Sequence, residues 1–129
     1  MKKVIFLTGL IIFVLFGFTA RPATEDNKTK TALKMPDNVK AIIDKSCFEC
    51  HNTASKNDNA KQALDFKKID GLSIIRKIGA LKHIGETVEN AQMPPKRFLE
   101  KNPDKKLTDE EIKILTEWVK KESASLLGK

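Results

Sequence analysis

A chain of 129 residues holds one folded domain at most. Its formal charge of +7 favours acidic protein partners through electrostatic steering. Nucleic acid is a poor fit, because Lys56, Lys61, Lys67, Lys68 and Lys77 are scattered among helical segments with no basic-aromatic binding module.

The chain begins Met1-Lys2-Lys3 and continues with an apolar run from Val4 to Ala20. A positive start and an apolar stretch of this size read as a signal peptide or a signal-anchor over residues 1–20. As a helix the run reaches about 25 Å, near the lower limit for crossing a bilayer. Phe18 is bulky where a cleavage site prefers a small residue, which favours a retained anchor over cleaved export. The positive end stays in the cytoplasm, so the residues beyond Ala20 lie on the outer face of the membrane or in the periplasm. Without the first twenty residues two lysines and no acids are lost, which takes +7 to about +5. Residues 21–36 are mostly polar and are expected to form a flexible tether with a reach of about 50 Å.

The body, residues 37–129, reads as all-α. Asp37 or Asn38 caps a short helix that turns Val39, Ile42 and Ile43 toward a core. Cys47 follows directly. Asn52 to Asn59 is polar and turn-rich, so a surface loop is expected there. Leu64 and Phe66 resume apolar packing before a break at Asp70-Gly71. Ile74, Ile75, Ile78, Leu81 and Ile84 then recur at helical intervals, and Val88 extends the same face. Gly79 and Gly85 weaken that helix and permit close packing. Met93-Pro94-Pro95 is expected to end it, since proline cannot continue the hydrogen-bond ladder. Thr108 and Glu111 stand at capping-box spacing before a last helix with Ile112, Leu115, Trp118 and Val119 on its apolar face. Lys120 and Lys121 are placed near its carboxyl end, and Trp118 is expected to anchor this helix in the core.

Cys47-Phe48-Glu49-Cys50-His51 is the Cys-x-x-Cys-His haem attachment signature, and it holds both cysteines of the chain. Two thiols at this spacing can each form a thioether to a haem vinyl group. His51, tied to both, is the proximal ligand candidate. The distal candidate is Met93, which a polar-to-rigid boundary holds away from the preceding helix; a methionine–histidine pair is a common haem c ligand set. His83 is the rival distal ligand. Other readings of the same residues stay open: zinc held by Cys47, Cys50, His51 and His83, copper held by Met and His, or a dithiol redox centre. The dithiol reading lacks the strand–helix–strand context such centres use.

The attachment motif, Met93-Pro94-Pro95, and Leu107-Thr108-Asp109-Glu110-Glu111 through Trp118 together resemble the bacterial haem-binding domain family related to monohaem c-type cytochromes. The resemblance spans about residues 36–121. It implies a small cytochrome c-like helical domain around one covalently bound haem c, with Cys47 and Cys50 attaching it, His51 proximal and Met93 distal. The expected function is single-electron shuttling between redox proteins, such as a membrane oxidoreductase, a terminal oxidase or another cytochrome. A carrier rather than an enzyme is expected. The alternative is a haem-based ligand sensor or peroxidase-like protein with an exchangeable distal site.

Overall fold

The computed structural model describes residues 31–128. The hydrophobic segment expected at 1–20 and residues 21–30 of the expected tether lie outside them. Among the described residues every regular element is helical: α1 (Asp37–Ser46), α2 (Asp58–Ala63), α3 (Ile74–Glu89), α4 (Lys96–Leu99) and α5 (Asp109–Leu126). Single turns of 3-10 helix form at Ile69–Gly71 and Pro103–Lys105. No described helix is long and apolar enough to cross a membrane.

The long helices α3 and α5 form the principal pair, and α1 packs against α5. Their apolar stripes meet in one core: Val39, Ile42 and Ile43 from α1, Leu81, Ile84 and Val88 from α3, Leu115, Trp118 and Val119 from α5. Leu107 plugs the entrance to α5. Ile75 lies off this stripe and is 76% exposed. Gly85 sits where α3 meets α5, with its would-be Cβ 3.4 Å from a Val119 methyl, whereas nothing approaches Gly79. Of the two glycines, only Gly85 serves close packing.

Helix α5 starts as its sequence predicts. Thr108 Oγ1 accepts from the Glu111 N–H at 3.2 Å, and Glu111 Oε2 accepts from the Thr108 N–H at 2.8 Å. Lys45, in the last turn of α1, donates to the same carboxylate at 2.6 Å. The cap thereby also ties α1 to α5. The helix runs on to Leu126, so Lys120 and Lys121 lie more than a turn before its end.

Residues 31–36 belong to the body, which shortens the expected tether. Four side chains distant in sequence hold this strap. Leu33 N–H donates to Asp70 at 2.9 Å and Lys34 N–H to Glu122 at 2.8 Å. The Lys34 carbonyl accepts from Trp118 Nε1 at 2.8 Å, and the Thr31 carbonyl from Lys77 Nζ at 2.6 Å. Lys77 is fully buried, so it is no part of the surface charge that the sequence suggests.

The end of α3 differs from expectation in cause. Ala91 adopts a left-handed φ of 51°. Its N–H bonds the Val88 carbonyl at 3.1 Å, and the Gln92 N–H bonds the Thr87 carbonyl at 2.8 Å. This is a Schellman stop, which usually takes glycine at the left-handed position. The helix has therefore ended before the prolines. Met93 and Pro94 lie in a bend beyond this stop, and Pro95, with a ψ of 142°, leads into α4.

Candidate haem site

The attachment motif is a tight turn hung from the end of α1. Cys47 and Phe48 N–H groups both bond the Ile43 carbonyl, at 2.8 and 2.9 Å, and the Cys50 and His51 N–H groups both bond the Cys47 carbonyl, at 3.2 and 3.0 Å. Buried Asn52 locks the turn from behind. Its side-chain amide donates to the Phe48 and Glu49 carbonyls, and its Oδ1 accepts from the Ala54 N–H at 2.8 Å. Residue types alone put Asn52 in a polar surface loop. The one signal for this role in the sequence is an asparagine directly after the motif.

His51 is held by an element that residue types do not announce. Where a loop is expected to run as far as Asn59, the short helix α2 forms from Asp58, with the Asn57 side chain accepting from the Ala60 N–H at 3.1 Å. His51 Nδ1 lies 2.9 Å from the Ala60 carbonyl and 3.1 Å from the Leu64 carbonyl. Carbonyl oxygens only accept, so Nδ1 carries a proton, and in the neutral ring the lone pair falls on Nε2. Orienting a ligand imidazole through its second nitrogen in this way is how metal sites fix tautomer and ring direction. The Phe66 ring meets the imidazole edge-on, with centroids 6.4 Å apart, and the Phe66 N–H bonds the His51 carbonyl at 3.1 Å.

Two adjoining clefts share Cys47, His51 and Met93. One, of about 540 Å³ including its open mouth, is walled by Ile43, Leu64, Phe66, Ile84, Val88 and Leu115, with His83 and Thr87 at its edge. The other, of about 530 Å³, adds Ser46, Cys50, Asn57, Pro94, Pro95 and Phe98. The residues named from sequence thus gather around these two clefts: Cys47, His51 and Met93 line both, Cys50 lines the second, and the rival His83 lines the first. Met93 is 37% exposed. Met35 packs against the core instead.

The site fits a covalently held haem. Its walls are apolar, as a porphyrin face requires; both thiols are free of disulfide; and the neutral imidazole has Nε2 left to offer a metal. The electrostatics do not suit a dithiol redox centre. Burial, reinforced by Cys50 and only partly offset by Lys45, pushes the Cys47 thiol up to about 11. Burial and then Glu49 also raise Cys50. Disulfide-exchange cysteines need the opposite shift. Nor does a zinc cage form: among the described residues no three His, Cys, Asp or Glu side chains are grouped to hold a metal ion.

Residues 53–121, more than half of the chain, match the model of a family described as a haem-binding domain. The match starts two residues past His51 and runs through α5 as far as Lys121. It therefore rests on the helical body rather than on the attachment motif. No curated protein and no solved structure matches the chain.

Proposed function

The chain belongs to the haem-binding domain family, and from that premise we propose that it is a monohaem c-type cytochrome that shuttles single electrons between redox proteins on the outer side of a membrane. The family supplies haem binding, and Cys-x-x-Cys-His supplies the means of covalent attachment. The observation that carries the assignment of the proximal ligand is the pair of carbonyls on His51 Nδ1, which reserves Nε2 for iron. Cys47 and Cys50 would retain the group through two thioethers, and Met93 would complete the coordination from the segment beyond α3. Once held, the iron supplies a site that gains and loses one electron. The residues of this chain limit rearrangement around it. Ile43, Leu64, Ile84, Val88 and Leu115 keep water from the cleft, and α2 keeps the imidazole from rotating.

The finer fold reading is a cytochrome c-like arrangement, tethered or exported by the hydrophobic amino terminus. Its support is the amino-terminal sequence and the all-α body. Partners would be acidic faces of membrane oxidoreductases, terminal oxidases or other cytochromes, met through the positive charge of the chain.

A second reading, an exchangeable distal site for sensing or peroxide chemistry, has one observation in its favour: Met93 is exposed beyond a third and His83 borders the same cleft. Ligand binding to purified haem-loaded protein separates the two. If Met93 is the distal ligand, wild-type ferrous protein resists carbon monoxide, Met93→Ala binds it readily, and His83→Ala behaves as wild type. Rapid carbon monoxide binding by the wild type favours the open site, and a low-spin spectrum unchanged in Met93→Ala rejects Met93.

A further inference from the structure

Ser46 closes α1, immediately before the attachment motif. It is 8% exposed, and its Oγ is buried without a hydrogen-bond partner among the described residues. A buried hydroxyl in that state bears its whole desolvation penalty, and such an orphan calls for an explanation. Ser46 lines the cleft that also holds Cys47, Cys50, Met93, Pro94 and Pro95.

The same cleft is lined by residues that can supply the acceptor. Pro94 and Pro95 have no N–H to offer, so this stretch of chain can only accept. The Pro95 carbonyl accepts from Phe98 and Leu99, and among the described residues no backbone N–H donates to the Met93 or Pro94 carbonyl. A buried hydroxyl without an acceptor and two carbonyls that accept from no backbone N–H thus belong to residues lining one cleft. Met93 lines this cleft beside Cys47 and His51.

We propose that Ser46 is the latch of the Met93–Pro95 segment: its hydroxyl donates to the Met93 or Pro94 carbonyl when that segment closes over the haem cleft, and so holds Met93 in place. Ser46 is then a positioning residue that acts through Met93, and the inference rests on the reading of Met93 as distal ligand. The latch is made from a side chain beside the first thioether cysteine. Haem attachment and closure of the distal side are thereby coupled through adjacent residues.

The test compares haem-loaded wild type, Ser46→Ala and Ser46→Thr in the ferric state. The readouts are the sulfur-to-iron charge-transfer band and the rate of cyanide binding, which requires Met93 to leave. The latch predicts the band in the wild type, a cyanide rate about three- to tenfold higher in Ser46→Ala, the factor one net hydrogen bond is worth, and recovery in Ser46→Thr. If the hydroxyl is merely an orphan, Ser46→Ala leaves the cyanide rate unchanged and only raises the stability of the haem-free chain. That result overturns the latch while leaving Met93 as ligand. Ser46→Thr behaving like Ser46→Ala also overturns it. A wild type without the band removes both the Met93 reading and the latch.

Discussion

His51 and Ala91 show how single residues set the geometry of the site. The imidazole has two nitrogens, and the paired Ala60 and Leu64 carbonyls remove the choice between them. Cys-x-x-Cys-His announces the proposed ligand in the sequence, but its orientation depends on carbonyls nine and thirteen residues away, which no residue type advertises. Ala91 carries a cost the sequence conceals. At a φ of 51° its Cβ crowds the backbone, a penalty of roughly 1 kcal/mol that glycine escapes. Ala91→Gly is expected to stabilise the protein by about 1 kcal/mol, read as a higher midpoint in urea. An unchanged or lower midpoint would show that this backbone is not strained. Met93 is two residues further on, so the same position fixes where the chain turns to present it.

At the scale of elements, legibility depends on how each helix is stabilised. The start of α5 is readable because its capping box and its apolar periodicity agree; α1 is readable from periodicity alone, since Pro36 takes the cap position without a side-chain bond and the expected caps, Asp37 and Asn38, lie inside the first turn. Helix α2 is not: it has six residues, none buried, and a polar sequence that suits a loop equally well. What it contributes is backbone carbonyl, to which hydrophobic pattern is blind. The α5 cap also has a pH signature. Burial works to raise the Glu111 carboxyl, but bonds from Lys45 and from Thr108 outweigh it and hold it below its ordinary value near 4.5. A lowered folded value stabilises the fold above the unfolded value and is lost as pH falls through the folded one. Glu111→Gln keeps an acceptor for the Thr108 N–H while discarding the charge opposite Lys45. It is expected to cost about 0.5 kcal/mol at pH 7, in the range of a partly exposed ion pair. Thermal melts should show the gap between variant and wild type closing as pH drops from about 6 to about 3. A gap independent of pH would contradict the assignment.

For the whole molecule, the largest departure from expectation is the strap. Residues 31–36 have too few apolar side chains to order themselves, so composition alone extends the tether to Pro36. Their order comes from Asp70, Lys77, Trp118 and Glu122, which the fold brings together from three separate elements. Trp118 is legible as a core anchor, but its N–H bond to Lys34 is not. Trp118→Phe keeps most of the ring and loses that bond, at an expected cost of about 1–2 kcal/mol. Limited proteolysis should then cut within residues 31–36 faster than in the wild type. Equal rates would mean the bond does not hold the strap.

Covalent haem attachment is the claim on which the rest depends, and intact mass measured under denaturing conditions tests it most directly. Protein exported in cells that mature c-type cytochromes should be heavier than its polypeptide by one haem, with the added mass on the peptide containing Cys47 and Cys50 and absent from Cys47→Ala/Cys50→Ala. Exported wild-type protein at the mass of the bare chain would contradict the account.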